Sequence, residues 1–290
     1  MLAQRILSAT VLIPIVLLLA YMGGLWFAAL VSVAALLAGY EFYHLLRMGD
    51  YKPSYIAGLL LIAVLMLDAY YPPYGLWRWG IAAAIMLLMA RQILHKDARG
   101  FLTNWSLTLA GALYVGGMLG HLISLRNLSA MVTLRTDSLL GHVIPVRELP
   151  WGFAWIVMTC AVTWLCDSGA YFVGSKWGRH GFFTHISPHK TWEGAIAGFV
   201  SGTLTALLVG QWLGLAVWQS LLLGAILVVG ATCGDLAESL IKRQVGVKDS
   251  SRLIPGHGGM LDRVDSLLFA GVIVYYFALW VARAGLQSIK

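Results

Sequence analysis

Apolar positions fill this chain in long runs, and the polar positions collect in a few short stretches between them. Nine apolar runs can be drawn, at roughly 7–22, 25–46, 55–70, 79–94, 105–125, 151–166, 192–213, 216–233 and 264–282. Each is near the length at which a helix crosses about 30 Å of hydrocarbon. In lipid every backbone polar group must be satisfied internally. The pattern therefore predicts an all-α, polytopic integral membrane protein with about nine transmembrane helices. The first run follows a single Arg5 and has no small-residue cleavage signal after it, so it reads as a retained span. The chain divides into residues 1–150, with about five helices, and residues 151–290. In the second part, polar stretches at 167–193 and 234–263 interrupt the spans.

The second polar stretch, GDLAESLIKRQVGVKDSSRLIPGHGGMLDRVDS from Gly234 to Ser266, concentrates the chemistry. Asp235, Glu238, Asp249, Asp262 and Asp265 lie in it, five of the 13 acids in the chain. Asp235, Glu238, Ser239 and Lys242 recur at i, i+3, i+4 and i+7, which puts them on one helical face. The glycines and Pro255 of the middle break that helix. A restart near Met260 sets Asp262 and Asp265 one turn apart at the head of the next span. Clustered carboxylates repel unless a cation sits among them, and oxygen ligands with room for water suit Mg2+. Asp235, Asp262 and Asp265 are the expected ligands. Nearby Lys, Arg and His side chains with Gly-rich backbone are what phosphate oxygens need. The combination points to metal-dependent phosphoryl or nucleotidyl transfer.

Ser239-Leu-Ile-Lys242-Arg243, Lys248-Asp249 and Pro255-Gly-His257-Gly-Gly259-Met-Leu-Asp262-Arg263-Val-Asp265 together resemble the signature of the phosphatidate cytidylyltransferases, or CDP-diacylglycerol synthases. The resemblance runs upstream to Asp167 and covers the C-terminal half. It implies transfer of CMP from CTP to phosphatidic acid, with pyrophosphate released, in phospholipid biosynthesis. It implies a bacterial inner membrane with the active site facing the cytoplasm. Asp235, Ser239, Lys242, Asp262 and Asp265 are the expected catalytic residues. Lys190, Arg243, Lys248, His257 and Asp167 are the expected substrate contacts.

The companion stretch, Asp167 to Gly194, repeats the family's Asp-x-x-Ala-Tyr-x-x-Gly and Ser-Pro-x-Lys-Thr-x-Glu-Gly elements as Asp167–Gly174 and Ser187–Gly194. Lys190 and Arg179 suit a triphosphate or a lipid phosphate. Thr191 and Glu193 suit a helix cap. His180, His185 and His189 lack the tight spacing of a zinc site. The next run carries Gly194, Gly198 and Gly202, a row that serves either internal packing or a homodimer.

Composition agrees with this picture. Apolar residues make up 59% and charged residues only 11%, where a soluble domain has about a quarter charged. With nine spans and an internal N-terminus, 14 of the 20 Lys and Arg fall on the side of both polar stretches, which the positive-inside rule makes cytoplasmic. The net charge of +7 then serves anionic lipid rather than nucleic acid. Glu41, Tyr43 and His44 near one span end, and Asp68 near another, read as interfacial residues that reach water. The three cysteines form no CxxC and read as packing residues. Two other classes share some features. A CTP-dependent polyprenol kinase would use the same nucleotide and metal but release CDP. A transporter would carry ionisable groups at mid-membrane on broken helices, whereas here the acids gather at span ends.

Overall fold

The computed structural model describes residues 2–94, 99–129, 131–134, 137–144, 148–247, 250–251 and 258–287. Every one of the nine apolar runs is helical. The helices are α1 (Leu2–Met22), α2 (Gly24–Met48), α3 (Tyr55–Tyr70), α4 (Leu76–Ile93), α5 (Phe101–Ala112), α6 (Met118–Arg126), α7 (Leu139–Val143), α8 (Trp151–Trp177), α9 (Trp192–Trp212), α10 (Val217–Gln244) and α11 (Leu261–Gln287). A π-helical turn, Leu113–Gly117, joins α5 to α6. Among the described residues, six helices are long and apolar enough to cross a membrane: Gly24–Met48, Phe101–Arg126, Trp151–Trp177, Trp192–Trp212, Val217–Gln244 and Leu261–Arg283. Leu12–Met22 and Tyr55–Tyr70 are shorter apolar helices. The stretch before α8 holds a small antiparallel ribbon, β1 (Met131–Thr133) with β2 (Glu148–Pro150), in the register Met131 to Pro150.

Contacts gather the chain into two compact units, 1–124 with 240–264 and 125–239 with 265–290. In the first, Tyr43 is fully buried and donates its hydroxyl to the Thr108 carbonyl at 2.7 Å. Gly58 of α3 and Gly111 of α5 leave room for its ring, since a Cβ at either would meet it. Tyr43 is thus a core residue of α2 rather than an interfacial one, because glycines on two neighbours make its cavity. His44 stays exposed. Asp68 does more than reach water: its carboxylate accepts the Trp77 N–H at 3.2 Å in the first turn of α4.

In the second unit α8 and α9 lie against each other along glycines. A side chain at Gly198 would start 3.0 Å from the Cys166 carbonyl, and one at Gly194 would start 2.8 Å from the Ala170 carbonyl. Gly202 faces Val228 of α10 and Cys166. The glycine row is therefore spent on internal packing. On α10, Gly230 and Gly234 admit Ile273 and Phe269 of α11, and the Asp265 carbonyl lies 2.5 Å from where a Gly234 side chain would begin. Trp155, the largest of the fully buried side chains, meets Phe277 edge-on at 6.2 Å between ring centroids.

Replacing Gly198 with Leu forces a bulky group into the α8 backbone. It is expected to destabilise the protein by about 1–3 kcal/mol or more, read as a lower unfolding temperature in detergent. Gly117→Ala, where nothing lies within 4 Å of the added carbon, should leave that temperature unchanged.

Candidate functional site

The polar helix face expected from the sequence is present. α10 does not stop with the apolar run but continues to Gln244, so Asp235, Ser239 and Lys242 stand on successive turns of one helix. It ends where Gly246 takes a positive φ of 75°. The Val247 N–H then reaches the Lys242 carbonyl at 3.0 Å, and the Gly246 N–H reaches the Arg243 carbonyl at 3.1 Å. This is a Schellman-type stop, which needs a left-handed residue and so favours glycine. The Arg243 guanidinium donates to the Val247 carbonyl at 3.1 Å and adds to the same cap. α11 restarts at Leu261.

In the second unit, Lys190 and Asp235 meet at 2.6 Å with about a quarter and a third of their side chains exposed. They line a cavity of about 610 Å³ together with Asp167, Tyr171, His189 and Thr232. Asp167 is not in a loop, because α8 runs on to Trp177 and carries Asp167, Tyr171 and Gly174 along one helical side. The return from 178 to 191, a run of turns closed by one antiparallel bridge between Gly181 and Thr191, sets the lysine. The Phe182 N–H donates to the Lys190 carbonyl at 2.8 Å, and the Trp192 N–H to the His180 carbonyl at 2.9 Å. Thr191 caps α9, its hydroxyl oxygen accepting from the Gly194 N–H at 3.2 Å. Glu193 does not close a capping box onto Thr191. Its carboxylate instead accepts the N–H groups of Arg179 (3.1 Å) and His180 (3.2 Å), and the His180 ring Nδ1 lies at 2.6 Å. It thereby ties the return to the head of α9. Arg179 is exposed. Asp265, half-buried on α11, lies where that helix crosses α10 at Gly234, next to Asp235 in sequence.

In the first unit, Lys242 and Asp262 pair at 2.7 Å with only 11% and 10% of their side chains exposed. The second Asp262 oxygen accepts the Gly259 N–H at 2.8 Å, the Ser250 N–H at 3.3 Å and lies 2.9 Å from the Ser250 hydroxyl. Beside it is a group that sequence reasoning assigned to water. Glu41 of α2 is 2% exposed. One of its oxygens accepts the Met260 N–H at 3.0 Å and the Ser251 hydroxyl at 2.5 Å. The other accepts the Leu261 N–H at 2.7 Å and lies 3.2 Å from the Ser250 hydroxyl. A serine has one O–H, so Ser250 donates to one of the two carboxylates at a time. Glu41 thus supplies the N-terminal cap that α11 lacks locally, from a residue 220 positions earlier. The only sequence signal was an acid inside an apolar run, which in a membrane needs a partner. Lys248 and His257 lie outside the described residues.

Among the described residues, no group of three or more His, Cys, Asp or Glu is placed to hold a metal ion. The donor chemistry still suits a hard divalent cation. Mg2+ is commonly held by one or two carboxylates, with water and substrate phosphate completing the shell. Lys190 and Lys242 each put an ammonium against a carboxylate, which marks both acids as places that receive positive charge.

The sequence profile described as the cytidylyltransferase family matches residues 3–281. Curated relatives share much of the sequence. A phosphatidate cytidylyltransferase of Bacillus subtilis is 33% identical over 280 residues, covering 94% of this chain and 96% of the relative. One of Pseudomonas aeruginosa is 34% identical over 292 residues, covering 98% and 99%. One of Synechocystis sp. is 31% identical over 297 residues, covering 94% and 95%. The chain belongs to the cytidylyltransferase family, and its enzymatic class is nucleotidyltransferase.

Glu41→Ala should leave the loop before α11 without its acceptor and cost about 1.5–3 kcal/mol. The expected readouts are a lower unfolding temperature and faster hydrogen exchange at the Met260 and Leu261 amides. Unchanged exchange at both amides would remove Glu41 from this role.

Proposed function

We propose that this protein condenses CTP with phosphatidic acid to give CDP-diacylglycerol and pyrophosphate, at the cytoplasmic face of a bacterial inner membrane. The observation that carries the reading is the Lys190–Asp235 pair in the wall of the 610 Å³ cavity, a cation and a carboxylate joined across 45 residues. The names of the full-length relatives support it, as does the gathering of basic residues on the side of both polar stretches.

In this reaction an oxygen of the phosphatidate phosphate attacks the α-phosphorus of CTP. The bond from that phosphorus to the oxygen bridging the α and β phosphates breaks, and the electron pair leaves with pyrophosphate. The nucleophile is already an anion, so no base is needed. The barrier lies in bringing anions together and in charge growing on the leaving group. Lys190 would turn from Asp235 to a phosphate oxygen. Lys242, with Arg243, Lys248 and His257, is proposed for the same task, and Ser239 as a hydrogen-bonding partner of substrate. Asp167 would orient the substrate from the cavity wall. Asp235 and Asp265 would hold Mg2+, whose chemistry is to neutralise charge on the pyrophosphate. Asp262 is also a proposed ligand, and Lys242 would have to leave it first. Because one substrate stays in the bilayer, the cavity would be entered from the side, at the membrane surface.

The test is the purified protein with labelled CTP, phosphatidic acid and Mg2+, scored for lipid-linked CMP and for pyrophosphate. Release of CDP in place of pyrophosphate would make it a kinase. Chelation should abolish turnover, and Mg2+ should restore it. Asp235→Asn and Asp265→Asn should each cost roughly 100-fold or more in kcat with little change in unfolding temperature. Asp262→Asn should lower both, because it breaks a buried pair, worth about 3–5 kcal/mol. Near-normal rates for Asp235→Asn and Asp265→Asn at ordinary Mg2+ would overturn the assignment.

A further inference from the structure

The Lys190 ammonium reaches Asp235 and the 610 Å³ cavity from a segment that has no core of its own. Every residue from 178 to 191 is exposed or half-buried. Two backbone bonds tie the lysine's stretch to the other side of the return. The Lys190 carbonyl accepts the Phe182 N–H, and the His180 carbonyl accepts the Trp192 N–H. The place of Lys190 therefore depends on where residues 180–182 are held.

Glu193 is the side chain that holds them. It starts in the first turn of α9, a helix seated on the α8 backbone through Gly194 and Gly198. One of its oxygens accepts the Arg179 N–H at 3.1 Å and the His180 N–H at 3.2 Å, and the other lies 2.6 Å from His180 Nδ1. Hydrogen bonds to a carboxylate are roughly twice as strong as those between neutral groups. Here they converge on two consecutive residues at the start of the return. Glu193 also faces a different side of α9 from the cavity. It lies beside Ile196, Val200 and Leu204, whereas Thr191, Gly194 and Gly198 line the cavity. It is placed to orient a cavity residue rather than to touch what the cavity holds.

We infer that Glu193 is a positioning residue for the transfer reaction: its carboxylate holds the 178–191 return against α9 and so delivers the Lys190 ammonium to the cavity. The inference rests on the reaction proposed above. Reacting groups must be held to within about 0.5 Å by supporting hydrogen bonds, and a misplacement of about 1 Å can cost roughly 100-fold in rate. Glutamine at 193 keeps the size of the side chain but turns one acceptor oxygen into an NH2 donor, which cannot serve the donors that face it. Aspartate keeps the charge but sets the carboxylate back by one methylene.

The experiment compares the full chain in detergent as wild type, Glu193→Gln, Glu193→Asp, Lys190→Met and the Glu193→Gln/Lys190→Met double variant. One readout is CMP transfer to phosphatidic acid. The other is the rate at which an amine-acylating reagent labels Lys190, followed by mass spectrometry with the exposed Lys176 as internal reference. Glu193→Gln should slow transfer by roughly 10-fold to 100-fold. It should speed labelling of Lys190 by roughly threefold to tenfold and leave that of Lys176 unchanged. In the Lys190→Met background the same change should alter the residual rate by less than about twofold, because the group that Glu193 places is gone. A residue that merely stabilised the fold would cost the same factor in both backgrounds, and that result overturns the inference. Unchanged labelling of Lys190 overturns it as well, and decides alone if Lys190→Met leaves no measurable transfer. If Glu193→Gln does not fold, Glu193→Asp takes its place: faster labelling of Lys190 supports the inference and unchanged labelling overturns it. A wild type that transfers no CMP overturns the proposed reaction instead, and labelling then still decides whether Glu193 places Lys190.

Discussion

A membrane protein has no water to spare for a broken helix, so every N–H and carbonyl exposed by a break must find a partner in the protein. Between α10 and α11 the chain leaves its helix, and the donors it frees there are buried against α2. Among the described residues of this break, donors at Ser250, Ser251, Gly259, Met260 and Leu261 are collected by two carboxylates. Glu41 takes the head of α11 and the Ser251 hydroxyl, Asp262 takes the Gly259 and Ser250 N–H groups and Lys242, and the Ser250 hydroxyl goes to one carboxylate or the other. The polar stretch is thus folded by acids, and those acids can be buried because the break supplies the donors they need. Each solves the other's problem, which is why this stretch can sit among apolar spans.

The glycines complete the arrangement. Where a helix carries chemistry, a glycine beside it lets the neighbour come close. Gly194 lies four residues beyond Lys190 and meets the carbonyl of Ala170, and Gly234 precedes Asp235 and meets that of Asp265. Close backbone approach is the usual way that helices associate in lipid, where burying apolar surface gains nothing. Here the same contacts set the positions of charged side chains, so packing and placement of the site are one feature of the sequence.

Much of this was legible in advance, and the reasons are local. The length of the apolar runs carried the nine helical segments, and the i, i+3, i+4, i+7 spacing carried the polar end of α10. Gly246 and the glycines that follow marked the stop, and the restart at Leu261 fell one residue from where the pattern put it. The family was legible from the sequence motif between Ser239 and Asp265. The misreadings share one cause. Glu41 and Tyr43 were assigned to the interface because an acid and a phenol near a span end usually reach water. Their partners are Leu261 and Thr108, 220 and 65 positions away, and no local pattern contains them. The extension of α8 through Trp177 was hidden for the opposite reason. Its residues are polar and glycine-rich, and tertiary packing against α9 overrides that composition.

The Lys190–Asp235 contact also has a thermodynamic consequence. With an ammonium 2.6 Å from the carboxylate, the pair is electrically balanced by itself. Any cation arriving at Asp235 competes with the lysine, and any anion arriving at Lys190 competes with the aspartate. Either ligand alone must break the pair and leave one of its members unmatched. Two ligands of opposite charge arriving together leave neither unmatched, so each binds more tightly in the presence of the other, by the same factor in both directions. Under the proposed function, a lone cation or a lone anion would thereby be held weakly, and the pair would act as a logical AND on what enters the cavity.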